Sequence, residues 1–518
     1  MDSSTEVRAT AAGRAPRPER PSRLGARRRH VLALAMITAV TTAGYAAFEL
    51  WRFNTLQDGS DLIYFEQAVR SYAHFHAGIS DFFGRYWGHT SGVSVLSDHF
   101  SPIIAALAPL NWIYSGPQTL LIAQAVLLAL AIPPLWVFTR RAAGGGPYAT
   151  AAAYAVVAAY TIAWPIAEVV SFDFHEVAFA PVLMAVAFER VQAGRARGAL
   201  LALGALLLVK EDMGLYVAGF GLFLAVTRTR LIGRQRLIAL GLIAGGIAWT
   251  WLATRVFIPA FGGDANKYWA YPTFGATIPQ AILHILAHPL SSLRVLAVPG
   301  MKVATLDWLL GAVCFLPLLS PISLAALPLL AERMLATTHP IWWGTGGHYN
   351  AYVIVPLLCG AVDGAVRLDR WLRLAAGRFR ADRRPPTGGA VTLALACAMV
   401  VVGLVMLPRF SFGEVLMSGT FRPRPGTIAQ TAAITAVPSG VTVEATPSAG
   451  AALSGRDTVW FWNNNGPLWA PWVVAQVDSP QFTWPNVAAQ RQRVALLERS
   501  GYRVVYDHMG YVVLHRPH

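Results

Sequence analysis

Three carboxylates, Asp58, Asp61 and Glu66, stand in the stretch LQDGSDLIYFEQ, directly after the first long apolar run of the chain. Three more ionisable clusters share that setting: Asp98 and His99 in SDHFSP, Asp173, His175 and Glu176 in SFDFHE, and Lys210, Glu211 and Asp212 in LLVKEDMGL. Charge at the edge of hydrocarbon costs several kcal/mol unless it is paired or hydrated, so each cluster calls for an explanation. Carboxylates and histidines are the residue types of general acid–base work, and a lysine can stabilise an anion. Structural roles compete with these. Asp61 has the side chain of a helix cap, Asp98 suits a turn ahead of Pro102, and Lys210 can neutralise Glu211 or Asp212 as a buried pair. For Asp173, His175 and Glu176 function is favoured, because three ionisable groups within four residues exceed what a turn needs.

The chain that must position these residues is a membrane protein. Of its 518 residues, 55% are hydrophobic and only 13% charged, and the mean hydropathy is +0.45. The formal net charge of +15 is carried by short Arg clusters between apolar runs, which membrane topology explains and nucleic-acid binding does not. Cys314, Cys359 and Cys397 lie far apart inside apolar runs and form neither a disulfide framework nor a metal-ligand spacing.

A bilayer core of ~30 Å takes about 20 apolar residues per helix. About eleven spans are expected, over 31–50, 117–139, 147–168, 175–190, 198–209, 213–227, 236–258, 303–320, 322–337, 349–366 and 389–408. Arg clusters mark the cytoplasmic side. With the N-terminus inside and an odd number of spans, the clusters at 8–29, 140–141, 190–197, 228–236 and 367–384 all fall there. Equal sidedness of the clusters flanking 198–227 requires a hairpin, with Lys210, Glu211 and Asp212 at a helix break reaching outward. The chain then divides into a disordered Arg-rich cytoplasmic N-terminus, 1–30, a transmembrane domain, 31–408, with outward loops 51–116 and 259–301, and an extracytoplasmic segment, 409–518. In the last segment GVTVEA, TVWFW, WVVAQ, YRVVY and YVVLH read as short strands and VAAQRQRVALLERSG as an amphipathic helix, which makes a small α/β domain. All four ionisable clusters face outward on this topology.

No H-x-x-x-H or C-x-x-C spacing supports zinc, so no metal site is assigned; a divalent cation held by Asp58, Asp61 and Asp98 is chemically allowed.

SDLIYFEQAVRSYAHF, LSDHFSPIIAALAPLNWIY, PQTLLIAQAVLLALAIPPLW, SFDFHEVAFAPVL, KEDMGLYV and HYNAYVIVPLL occur in this order over about residues 50–370. In that order they resemble the bacterial family of domain of unknown function 2079, which is similar to the C-type (GT-C) glycosyltransferases. The resemblance implies a polytopic GT-C-like fold in the bacterial cytoplasmic membrane. It also implies transfer of a sugar from a polyprenyl-phosphate donor to a glycan, lipid or protein acceptor on the extracytoplasmic side. A carboxylate in the first outward loop is the base of such enzymes, and DGSDL places Asp61 there, with Asp58 beside it in an Asp-x-x-Asp spacing instead of an adjacent pair. Lys210, Arg255, Lys267 and Arg294 are then the candidates to stabilise the departing phosphate, and His99, Asp173, His175 and His348 to orient hydroxyl groups. Glu176, Glu211, Asp212, Asp98 and Tyr349 complete the expected substrate site, with Trp269 and Tyr271 in a mobile loop or an interfacial belt. A transporter or lipid flippase and a non-catalytic scaffold are the competing classes. A transferase needs Asp61, Asp98, Asp173 and Lys210 around one cavity, and scattered positions would exclude it.

Overall fold

The computed structural model describes residues 23–229, 235–379, 389–464, 470–481 and 483–517. The first helix starts at Arg23 and runs to Asn54, so it begins inside the stretch expected to be disordered; residues 1–22 lie outside the described residues. Among the described residues, five helices are long and apolar enough to cross a membrane: Arg27–Asn54, Gln118–Ala142, Gln235–Ala260, His348–Ala375 and Ala390–Arg409. The pair Gly146–Thr161 and Trp164–Val170, bent by 43°, makes a sixth if it is counted as one span.

The five other expected spans are shorter. Helices Phe179–Gln192, Ala196–Leu207 and Met213–Val226 stand in for three. The last two become Gly300–Gly311 and Leu327–Leu335, joined by 3-10 turns that begin at Pro321 and, after a left-handed Phe315, at Leu316. A 14-residue helix such as Met213–Val226 rises only ~21 Å, less than a hydrocarbon core. The count of spans is therefore not set by apolar run length, because prolines and charged breaks cut the runs into pieces. The break expected at Lys210, Glu211 and Asp212 is present: one helix ends at Leu207 and the next starts at Met213.

The helix Ser60–Ala73 carries Asp61 and packs against the short helix Ala108–Asn111 and the C-terminal helix Pro447–Leu453. It holds neither glycine nor proline, and Leu62, Ile63, Phe65 and Ala68 are all buried. Each large apolar side chain so buried contributes ~1.5–3 kcal/mol. Its polar face is bolted down. Gln67 donates to Val459 O at 2.8 Å and accepts from Ser80 Oγ and Phe82 N at 2.9 Å each, and Arg70 donates to Ser454 O at 2.9 Å.

The C-terminal sheet has five strands in the order Thr458–Phe461, Thr442–Ala445, Trp472–Gln476, Tyr511–His515, Arg503–His508. The first two pairings are parallel and the last two antiparallel. All five strands occupy the stretches in which apolar alternation placed them, and the expected helix is Val487–Arg499, capped by the Asn486 side chain on Ala489 N.

Candidate functional site

The second helix begins on a borrowed cap. No side chain of its own closes its N-terminus; instead the Asp173 carboxylate accepts from Gly59 N at 2.7 Å, Asp61 N at 2.9 Å and Leu62 N at 3.3 Å. Three orphan amides are thereby satisfied by a residue 112 positions from Asp61 in sequence, and the positive end of the helix meets a buried anion. Asp173 is raised by burial despite these amides. Its neighbour Asp58 is pushed up to about 8, by burial first and then by Asp173, against Arg52.

With its amide fixed, Asp61 points its carboxylate into a cavity of about 1030 Å³. Burial and the nearby Asp173 and Glu176 push this carboxyl up to about 7, against His99 and a Ser60 hydroxyl contact at 3.4 Å. Of the residues expected at a substrate site, Asp61, Asp98, His99, His175, Lys210, Glu211, Asp212, Lys267, His348 and Tyr349 line this cavity. Asp58, Asp173 and Glu176 do not; they lie buried behind the wall. Arg255 lines it and Arg294 does not, while Trp269 and Tyr271 from the 259–301 loop do. The loops expected to share one side of the membrane therefore meet around one space. The demand that Asp61, Asp98, Asp173 and Lys210 gather there is met by three, with Asp173 acting through the backbone of the first.

The walls differ in chemistry. On one, Asp98 accepts from Lys267 Nζ and from the Tyr268 hydroxyl, and the Lys267 ammonium sits 3.9 Å over the Trp87 ring. Tyr268 stacks on His99 at 4.9 Å, and His99 Nδ1 contacts Glu211 Oε1 at 2.8 Å while Phe100 N donates to Oε2 at 3.1 Å. Glu211 is buried, yet His99, Lys210 and backbone amides outweigh that burial and lower its carboxyl to about 2. Asp212 is raised to about 6 by burial, against Lys210.

On another wall Lys210 Nζ faces Glu176 Oε1 at 4.0 Å. Burial opposes its charge, but Asp212, Glu176 and Glu211 prevail and raise it, so the ammonium stays protonated. Beside it the imidazoles of His175 and His348 stack with centroids 3.4 Å apart. His175 is placed by Gln124, which accepts from its backbone N at 3.1 Å. His348 follows Gly347, whose φ of +72° opens the turn. The turn is tied down by Arg333, which donates to Trp342 O, Tyr349 O and Asn350 Oδ1. A third wall is apolar: Leu215, Ile258, Phe274, Ile278, Ile282 and Ile285.

The sequence reading did not single out Tyr268, Glu332, Arg333 or Tyr352, which also line the cavity. The NKYWAY stretch and the charged pair Glu332–Arg333 inside an apolar run were the signals for two of these places.

A family model described as "Predicted membrane protein (DUF2079)" matches residues 52–513. The chain belongs to this family. The span of the match takes in both the helices that build the cavity and the C-terminal sheet, so the two are parts of one family unit. No protein of curated function matches the chain. Among solved structures it is similar to ArnT from Cupriavidus metallidurans bound to undecaprenyl phosphate. That likeness has 14% sequence identity and a TM-score of 0.44, over 92% of this chain and 97% of that one.

Proposed function

We propose that this DUF2079 protein is a GT-C-like membrane glycosyltransferase, with about eleven passes of the chain through or into the bilayer. It takes a sugar from a polyprenyl-phosphate donor to a cell-envelope acceptor on the extracytoplasmic side of a bacterial cytoplasmic membrane. The observation that carries the reading is the composition of one cavity: Asp61, two histidines and Lys210 on one part of its wall, and a run of isoleucines on another. A donor with a polar head and a hydrocarbon tail needs both.

The chemistry follows from the positions. The Asp61 carboxylate takes the proton of an acceptor hydroxyl as that oxygen attacks the anomeric carbon. The new carbon–oxygen bond forms as the bond to phosphate breaks, and the electron pair leaves with the polyprenyl phosphate. Lys210, held charged and without a direct hydrogen bond among the described residues, offers the cation that this anion needs. Asp98, His99, Lys267 and Tyr349 border the space where sugar and acceptor would meet, and Trp269 and Tyr271 offer faces for a sugar ring.

The test is transfer or release of sugar from a panel of radiolabelled polyprenyl-phosphate sugars by the purified protein in lipid, beside Asp61→Asn of equal thermal stability. Turnover that collapses in the variant supports the assignment. Background signals for both across the panel overturn it and favour a transporter, flippase or scaffold.

A further inference from the structure

Asp61, His175 and His348 each offer one ligand atom, and these atoms all lie within 4.8 Å of one another. The two imidazoles are almost wholly buried, His175 at 3% exposed and His348 at 4%. Neither nitrogen of His348 nor His175 Nδ1 has a hydrogen-bond partner among the described residues. His175 Nδ1 lies 2.8 Å from Glu176 Oε2 without the alignment of a hydrogen bond, and both Glu176 oxygens are likewise unpartnered. Buried polar atoms are nearly always satisfied, so this concentration of open nitrogens and oxygens at and just behind one corner of the cavity is the observation to explain.

We propose that this corner is a binding site for a divalent transition-metal ion of the zinc class, with Asp61, His175 and His348 as its protein ligands. A cation accounts for the open face of this corner, taking one nitrogen from each imidazole and one oxygen from Asp61. It takes imidazole lone pairs that have no proton to receive, and it adds positive charge beside the carboxylates of Asp61 and Glu176, the second of which Lys210 approaches only to 4.0 Å. The donor set selects the ion, since two imidazoles with one carboxylate suit zinc and its neighbours, whereas magnesium and calcium prefer oxygen shells. Ligand atoms on a tetrahedral ion lie ~3.3 Å apart, so binding turns the two stacked imidazoles out of parallel until a nitrogen of each meets the ion. Three protein ligands leave a coordination position open toward the cavity, as catalytic sites do. The outer contacts are in place too: Asp173 fixes the backbone of Asp61, Gln124 that of His175, and Arg333 the turn bearing His348. A carboxylate bound through one oxygen keeps its second for proton transfer. The inference does not depend on the sugar-transfer reading, because binding is measured without turnover.

The experiment uses the full-length protein in lipid nanodiscs with a purification tag free of histidine. It is stripped with chelator, dialysed against zinc, manganese or magnesium, and assayed for metal by mass spectrometry. About one retained zinc per chain is expected, with affinity at least ~10-fold weaker in His348→Ala and in His175→Ala and no stoichiometric magnesium. The half-buried His284 and the exposed His288, rings 4.7 Å apart, form the competing site, and His284→Ala should leave zinc uptake unchanged. Thermal midpoints in chelator report whether the variants fold. Should either not, the zinc absorption fine structure of the unaltered protein decides: a shell with two imidazoles supports the site, and one without them overturns it. No retained zinc, or uptake lost only with His284→Ala, also overturns the proposal.

Discussion

The Asp98 wall and the Asp61 wall of the cavity carry the same residue types but differ in how they are satisfied. Asp98 has Lys267 and Tyr268, and His99 has Glu211 and the face of Tyr268. Near Asp61, among the described residues, both nitrogens of His348, His175 Nδ1 and the Glu176 carboxylate lack hydrogen-bond partners, and Lys210 approaches Glu176 only to 4.0 Å. Polar groups that complete one another rigidify a wall; groups held open in a buried place are available to something that comes from outside. The difference makes the first wall a shaped boundary and the second the reactive one.

Substitutions can break or sharpen that contrast. The largest effect is expected for Asp61→Asn, a ~10²–10⁴-fold loss of sugar transfer with the thermal midpoint unchanged, measured as initial rate at saturating donor. A loss of folding instead would move Asp61 to the structural side. Next comes Asp173→Ala, which orphans three backbone amides at the start of the second helix. It should cost ~2–4 kcal/mol of stability and reduce transfer through misplacement of Asp61, with Asp173→Asn recovering part of both because it keeps an acceptor. An Asp173→Ala protein as stable as the parent would deny the borrowed cap. On the satisfied wall, Lys267→Met should cost ~1–3 kcal/mol by leaving Asp98 without its cation, while changing transfer by less than about tenfold; a collapse of rate at unchanged stability would make that wall reactive as well.

The smallest effect lies away from the cavity. Glu444, in the C-terminal sheet, is pushed up to about 7 by burial, against Arg493, the Asn463 amide and Arg85. Its folded-state value is raised, so its contribution to stability is complete below about 4.5, falls as pH rises toward 7 and is level above that. Glu444→Gln should therefore raise the thermal midpoint relative to the parent at pH 8 and leave it nearly equal at pH 4. An equal gain at both pH values would show that ionisation is not the cause.

Different parts of the fold are legible in the sequence to different depths. Strands such as Trp472–Gln476 and Tyr511–His515 were legible because alternation of apolar residues needs only a local pattern. The break at Lys210 was legible because charge cannot continue an apolar helix and the flanking arginines demand a hairpin. The passage of the chain across 300–337 was not, since mean hydropathy does not report the turns at Leu316 and Pro321 that divide it. For the site, clustering of ionisable residues beside apolar runs found seven of the cavity-lining residues, Asp61, Asp98, His99, His175, Lys210, Glu211 and Asp212, because that rule rests on the cost of burying charge. It could not rank them, and Asp173 shows why: its type and setting match those of Asp61, yet one carboxylate faces backbone amides and the other a cavity.

What the sequence determined by itself was a multi-pass membrane protein with a C-terminal sheet and a defined set of charged breaks, since hydropathy and local periodicity are written in neighbouring residues. Tertiary structure alone decided which of those breaks meet. Asp61, His175 and His348 come from three distant segments, and their separation along the chain carries no trace of their approach, because helix packing and one remote cap set it.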